Sequence, residues 1–247
     1  MRAQALEYKF TQESLAAALG HLKSALALDP DYTPALALAA YCYAERRIQG
    51  WTRNAAEEVP EGLRLATRAL ELGGDDSNVL WMTAWAVRHL AMDGQRSREL
   101  ASRSLLLNPN SAIAVAIAGW TEVAADNAPK GLELFHRAQR LSPRDPKGWF
   151  FAAGMAQAHY LEGNLDEAVS WAKKALVQNP RFAIAQRYLA ASLAKLGHME
   201  QASEVMQEML KNEPQLTLRV LRSRLMFLHE NGWQKFSDGL RLAGLPE

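Results

Sequence analysis

The residues able to do acid–base, nucleophilic or metal chemistry are scattered along this chain. Its six histidines lie far apart, and none has a second histidine or a cysteine at metal-ligand spacing. The sequence contains no glycine-rich phosphate loop and no H-E-x-x-H or C-x-x-C motif. Acidic pairs such as Glu57-Glu58 and Asp166-Glu167 are expected to be solvated charges near helix starts. The sequence therefore predicts a noncatalytic protein with no metal site and no cofactor.

The single cysteine, Cys42, lies between Tyr41 and Tyr43. It cannot form a disulfide within the chain. A cysteine nucleophile needs a neighbouring base or cation to form its thiolate, and the sequence supplies none nearby. We expect Cys42 to be a packed, unreactive thiol.

The amino-acid composition indicates which type of secondary structure the chain forms. The 247 residues include 42 Ala and 36 Leu but only 13 Val and Ile together. Ala and Leu lose little side-chain freedom in a helix, whereas β-branched residues suit a pleated sheet. An all-α fold is predicted.

Charge and hydropathy exclude several classes of partner. The chain has 28 Lys and Arg against 27 Asp and Glu, so it lacks the basic excess of a general nucleic-acid-binding surface. The apolar run over 112–120 is too short to span a bilayer. The first residues lack the apolar core of a signal peptide. We expect a cytoplasmic protein that binds neither nucleic acid nor membrane.

A repeat of the form A-L-x-x-x-P runs through the chain. Its clearest copies are Ala25–Pro30 and Ala175–Pro180, and a degenerate copy over 69–74 ends in Gly74 instead of proline. From Pro30 onward the spacings between copies are 44, 35, 34, 37 and 34 residues. Since proline cannot continue a helix but is tolerated at the start of the next, these copies mark boundaries between helical hairpins.

Within each repeat, small residues recur where two helices would cross closely. The last repeat has Ala190, Gly197 and Ala202, and the fourth has Gly119, Gly131 and Ala138. This register and a period of about 34 residues resemble the tetratricopeptide repeat (TPR). The resemblance implies a right-handed α-α superhelix of six hairpins, 1–32, 33–76, 77–111, 112–145, 146–182 and 183–216, followed by a capping segment, 217–247.

The second repeat carries about ten extra residues, within Arg46–Pro60. Gly50–Asn54 is the expected loop tip, and insertions in repeat arrays often serve binding. The alternative, which we favour, is a surface loop with Trp51 folded back onto its repeat. The three extra residues of the fifth repeat are expected to lengthen its first helix.

The C-terminal sequence Gly239–Glu247, together with Phe150–Tyr160 and Arg187–Ala194, is similar to the C-terminal TPR region of bacterial multidomain regulators. Those regulators carry a cyclase-like or winged-helix domain. The resemblance implies that the chain is the regulatory part of a bacterial signalling protein.

In TPR arrays the first helices line a concave groove, and the family pattern implies which positions face it. Trp81 and Trp85 are one helical turn apart and share a face. Whether the tryptophans are exposed or buried is left open; if they are exposed, Trp85→Ala and Trp120→Ala should abolish binding without unfolding the chain. The implied groove residues are Tyr41, Trp81, Trp85, Arg88, Trp120, Phe150, Gln157, Arg187 and Lys195.

The sequence thus predicts a protein-interaction scaffold that binds an apolar or amphipathic partner segment in its groove. One alternative is a domain that senses a small molecule for a cyclase or transcriptional regulator. A second alternative is a self-assembly module, which would form a homo-oligomer.

Overall fold

The computed structural model describes residues 2–225 and 230–247. Within these ranges the chain forms fourteen α-helices and one π-helix, and no strand, so the predicted all-α fold is confirmed. The α-helices are α1 (Arg2–Lys9), α2 (Gln12–Leu28), α3 (Thr33–Gln49), α4 (Ala55–Gly73), α5 (Ser77–Ala86), α6 (Gly94–Leu107), α7 (Ala112–Ala124), α8 (Ala128–Leu141), α9 (Gly148–Glu162), α10 (Leu165–Gln178), α11 (Ala183–Lys195), α12 (Met199–Asn212), α13 (Leu218–Arg224) and α14 (Glu230–Leu242). The π-helix, Val87–Ala91, follows α5 directly.

Local side-chain chemistry sets the helix boundaries. Thr11 and Ser14 form a capping box at the start of α2, in which each backbone N–H donates to the other residue's hydroxyl, at 2.9 and 3.1 Å. The Asp76 carboxylate accepts from the Asn78 backbone N–H, at 2.6 Å, and caps α5. Gly163 ends α9 at a φ of 85°, a conformation that glycine adopts without steric cost.

Residues Met1–Ala118 form one compact unit, called unit 1. Its helices pack as hairpins, α1 with α2, α3 with α4 and α5 with α6, and α3 also packs along α5. The first helix of a hairpin is buried nearly all round, since every residue of α3 from Ala35 to Arg46 is buried. The second helix buries only a stripe, which in α2 includes Leu15, Ala18 and Leu22.

Residues Gly119–Glu247 form a second compact unit, called unit 2. Here α9 pairs with α10 and α11 with α12, and the first helices α9 and α11 lie side by side. Each is buried continuously, over 149–158 and 184–194. The C-terminal helix α14 packs against α11 and also touches α9.

Glycines allow close helix packing in unit 2. A Cβ on Gly154 of α9 would lie 2.2 Å from the Phe135 ring of α8, and one on Gly119 would lie 2.9 Å from it. Both positions therefore exclude any larger residue while Phe135, itself fully buried, keeps its place. The recurring small residues of the sequence have this steric role.

The two expected length changes fall mainly in helices. Helices α3 and α4 have 17 and 19 residues, whereas α11 and α12 have 13 and 14. Only residues 50–54 remain between α3 and α4. Helix α9 has 15 residues against 13 in α11.

Candidate binding faces

Two clusters of side chains on first helices are the candidate functional sites. The unit 1 face consists of Tyr41, Glu45, Trp81, Trp85, Arg88 and His89, which come from α3, α5 and the π-helix. The unit 2 face consists of Tyr160, Arg187, Tyr188 and Ala191, which come from α9 and α11.

Aromatic packing joins α3 to α5 in the unit 1 face. The Tyr41 and Trp81 rings meet edge to face with centroids 5.3 Å apart. The Trp81 indole N–H donates to the Asn78 side-chain oxygen, at 3.3 Å, one turn earlier on α5. Both rings are buried. The contact fixes the two first helices at one separation.

The π-helix places two basic side chains in the same face. Arg88 and His89 are adjacent in sequence, and both are buried. The His89 ring lies 4.4 Å from Trp85, and the Arg88 guanidinium carbon lies 5.6 Å from that ring's centroid, within cation–π range. A π-helix accommodates one more residue than an α-helical turn and often occurs at functional sites.

The electrostatics of the unit 1 face keep Tyr41 protonated. Burial raises the pKa of the Tyr41 hydroxyl well above its ordinary value, and the negative charges of Glu45 and Glu7 raise it further. The Glu45 carboxylate belongs to the residue one turn further along α3. Tyr41 is therefore a hydrogen-bond donor at physiological pH and not a base.

In unit 2 the predicted aromatic residues pack against one another. The Trp120 ring lies 5.2 Å from Phe150 and 5.6 Å from Phe135. The Trp149 ring meets the Phe182 ring with centroids 4.6 Å apart. All five rings are buried, so Trp120 and Phe150 belong to the core of unit 2.

The unit 2 face is covered by α14. The Phe236 ring packs on Tyr188 at 4.7 Å, and the Tyr160 hydroxyl donates to the Lys235 carbonyl at 2.7 Å. A Cβ on Gly239 would lie 2.4 Å from the Tyr160 hydroxyl oxygen and 2.9 Å from the Ala191 Cβ. Burial, followed by the charge of Asp238, raises the pKa of Tyr160 and preserves it as a donor.

Arg187 brings a buried cation to the same face of α11, one turn before Ala191. Burial lowers the pKa of its guanidinium to about 10, while Glu213 raises that pKa and Arg224 lowers it. Glu213 and Arg224 form an ion pair with each other. Arg187 therefore remains charged at neutral pH in a site enclosed by protein.

The structure answers the open question about exposure. Of the nine predicted groove residues, eight are buried, and only Lys195 at the end of α11 is exposed. The fold brings together Tyr41 with Trp81, Trp85 with Arg88, and Trp120 with Phe150. Gln157 is buried in α9. A role of the buried eight in partner binding stays a prediction, and direct contact would require them to be uncovered.

Sequence reasoning missed the α14 contacts. The apolar positions Trp233, Phe236, Leu240 and Ala243, with Gly239 between them, give this segment the spacing of an amphipathic helix. That spacing predicts a helix with one buried side but does not identify the helices that bury it. The role of 217–247 as a cap stays a prediction, and residues 226–229 of that segment lie outside the described residues.

The insertion loop is held close to unit 1. The Trp51 ring lies 5.8 Å from Phe10, so it folds back onto the first hairpin, and its backbone N–H donates to the Arg46 carbonyl. The Arg46 guanidinium donates two hydrogen bonds to the Glu58 carboxylate, at 2.8 and 2.9 Å, which also accepts from the Arg53 backbone N–H. This ion pair closes the base of the loop.

Two properties of the described ranges, 2–225 and 230–247, bear on other kinds of site. They contain no group of three or more His, Cys, Asp or Glu side chains that could hold a metal ion. No helix in them is both long and apolar enough to cross a membrane.

The described helices pair as hairpins whose first helices are buried and packed closely together. Solved structures of tetratricopeptide-repeat proteins have a similar fold. No protein-family model matches the chain, and no curated protein matches it. A TPR protein from Parabacteroides merdae ATCC 43184 matches with a TM-score of 0.52 and 18% identity, covering 98% of each chain. TTC0263, a TPR protein of Thermus thermophilus, matches with a TM-score of 0.55 and 16% identity over 76% of this chain and 93% of its own.

A third similar structure is a human IFIT1 dimer with PPP-AAAA. Its TM-score is 0.65 at 17% identity, with 81% of this chain and 46% of the IFIT1 chain covered. The chain therefore spans about half the length of IFIT1. At these identities the likeness establishes the fold.

Proposed function

We propose that this protein is a noncatalytic protein–protein interaction scaffold that binds a partner segment on the first-helix faces. The observation that carries the proposal is the position of α14, an amphipathic helix that lies across α11 and α9. A face that holds one amphipathic helix has the shape and chemistry to bind another, as in other helix-in-groove complexes.

The charges favour a protein partner over RNA. The formal net charge is +1, whereas nucleic-acid binding draws most of its affinity from an excess of Lys and Arg that displaces counterions from phosphates. In the unit 1 face, Glu45 accompanies Arg88, so the face is not uniformly basic. Mixed charges beside aromatic rings suit a polypeptide partner better.

The nine predicted residues would have two different roles in partner binding, direct contact and support of the first helices. Lys195 is accessible and would contact the partner directly, and Arg187 would attract an acidic group once its face is open. The buried residues Tyr41, Trp81, Trp85, Arg88, Trp120, Phe150 and Gln157 would hold the first helices at fixed separations. Such rigid support lowers the entropy cost of binding because the surface is already formed.

The C-terminal sequence gives the proposal a setting. Because Gly239–Glu247 resembles the end of bacterial multidomain regulators, we assign the chain to the regulatory part of a bacterial signalling protein. In that setting the partner is a segment of another protein or of an effector domain.

The proposal can be tested by site-specific photo-crosslinking in bacterial cells. A benzoyl-phenylalanine at position 195 lies on first helix α11, and the control at Lys173 lies on second helix α10; both lysines are exposed. We expect a protein adduct from position 195 and none from 173, identified by mass spectrometry. Adducts from 173 alone, or no adduct at either position, would contradict the proposal. An adduct with a second copy of this chain would support self-assembly instead.

A further inference from the structure

We infer that α14 is a displaceable occupant of the unit 2 face, and that the face takes in its place an amphipathic partner helix of the same chemistry. This inference rests on the proposed function, because it names the ligand class of the same surface. The partner helix would carry an aromatic residue, a glycine three positions later and a leucine next to that glycine, as Phe236, Gly239 and Leu240 do in α14.

The contacts of α14 define those requirements. Phe236 is fully buried between Tyr188, at 4.7 Å, and Tyr160, at 6.3 Å, so the first position needs a flat ring. Gly239 lies so close to Tyr160 and Ala191 that no Cβ fits without displacement of one of them. Leu240 is also fully buried. The face therefore selects a helix by shape at three positions.

The polar contacts between α14 and the first helices use backbone groups. The Tyr160 hydroxyl donates to the Lys235 carbonyl, and the Lys235 ammonium donates to the Leu161 carbonyl at 3.4 Å. Any helix presents a backbone carbonyl at the Lys235 position, so the Tyr160 hydrogen bond is available to a partner of different sequence. The Lys235 ammonium contact does use a side chain of α14, but that side chain is exposed, so recognition depends chiefly on the apolar spacing.

The outward side of α14 also suits an exchangeable helix. The side of α14 that faces away from α11 is solvated, since Gln234, Lys235, Asp238 and Arg241 are exposed. Near its start, the Arg222 guanidinium lies 5.1 Å from the Trp233 ring and pairs with Glu230 at 2.7 Å. These contacts to α13 can persist while α14 leaves α11.

The test uses the full chain and a fluorescent peptide of residues 230–247. In the chain, Gly239→Ala adds a Cβ that clashes with Tyr160 and Ala191 and so weakens the packing of α14 on the face, while alanine favours the helical state itself. The peptide can bind only chains in which α14 has left the face, and the substitution should increase the fraction of such chains. We therefore expect the peptide to bind the Gly239→Ala chain about tenfold or more tightly than the wild-type chain. The peptide carrying the same substitution should not bind either chain. The matched control is Gly20→Ala, whose Cβ meets nothing within 4 Å.

Hydrogen exchange over 230–242 shows whether α14 has been released, and Phe236→Ala is a second releasing variant. Faster exchange in either variant together with tight peptide binding supports the inference. Faster exchange without peptide binding overturns it, and so does unchanged exchange in both variants, since α14 would then not be displaceable. Peptide binding without a crosslink at position 195 would contradict only the proposed function, and a crosslink without peptide binding would contradict only this inference.

Discussion

The two units close their first-helix faces by different means. In unit 1 the face is filled from within, by aromatic side chains of α3 and α5 and by Arg88 and His89 of the π-helix. In unit 2 part of the face is closed by α14, an added helix. Side chains that arise within a packed helix cannot leave without unfolding it, whereas a helix that packs on the face as a separate element can move away as a whole. Burial therefore has a different meaning for function in the two units.

The largest effect should come from removing a buried tryptophan in either unit. Trp85 and Trp120 are 0% and 1% exposed, and replacing a buried tryptophan with alanine leaves a cavity that costs about 3–5 kcal/mol. We expect both Trp85→Ala and Trp120→Ala to lower the free energy of unfolding by that amount, measured by urea denaturation.

The control for both variants is Trp171→Ala, since Trp171 is half-buried and contacts Lys174 by a cation–π interaction at 3.8 Å and the His136 ring at 6.2 Å. It should cost about 1 kcal/mol or less. Equal losses at all three positions would show that burial does not separate core tryptophans from peripheral ones.

The next effect tests the tight packing of unit 2. Gly154→Ala would press a Cβ against the buried Phe135 ring, and overpacking of this kind costs about 1–3 kcal/mol. Phe135→Leu in the same chain should recover part of that loss by making room. Gly20→Ala, where the added Cβ meets open space, should instead raise the free energy of unfolding by about 0.5–1 kcal/mol in the same measurement. If Gly154→Ala also raised the free energy of unfolding, α8 and α9 would have to move apart at little cost, which would contradict tight packing.

A smaller and pH-dependent effect belongs to unit 1. Burial raises the pKa of Glu58, but hydrogen bonds from Arg46 and from the Arg53 backbone outweigh it and lower the pKa below its ordinary 4.5. Because the pKa of Glu58 is lower in the folded chain than in the unfolded chain, its ionised carboxylate stabilises the fold above pH 4.5. This stabilisation is lost as the pH falls through the pKa of Glu58 in the folded chain.

Arg46→Ala should therefore cost about 1.5–3 kcal/mol at pH 7, the range for hydrogen bonds to charged groups, and should cost less under acid. Urea denaturation of both proteins from pH 7 down to pH 3 checks this. A cost that does not change over that range would show that Arg46 stabilises the loop by packing instead.

The smallest effect is expected at Lys195, the one exposed residue of the predicted set. Lys195→Ala should change the free energy of unfolding by no more than about 0.5 kcal/mol, since substitutions at solvated positions rarely do more. Thermal denaturation followed by circular dichroism measures it. A large loss would place Lys195 among the structural residues.

Much of the fold follows from local sequence. The Ala and Leu excess predicts the helices, and Gly50–Asn54 lies in the loop between α3 and α4 as expected. The unit 1 and unit 2 faces were harder to predict. Spacing at i and i+4 places Trp81 and Trp85 on one side of α5, but it does not identify the residues that pack against that side. Likewise, the amphipathic pattern of α14 predicts a buried side, but its packing on α11 depends on tertiary contacts.

The π-helix also bears on the spacing of the predicted repeats. The predicted third repeat, 77–111, has 35 residues, one more than the period of about 34, and a π-helix can hold one extra residue without breaking the helix. One residue turns everything after it by about 100° around the helix axis. Deleting a single codon within 87–91 would restore an ordinary α-helical turn and redirect the side chains that follow. The placement of Arg88 and His89 in the unit 1 face therefore depends on the one extra residue that a π-helical turn accommodates.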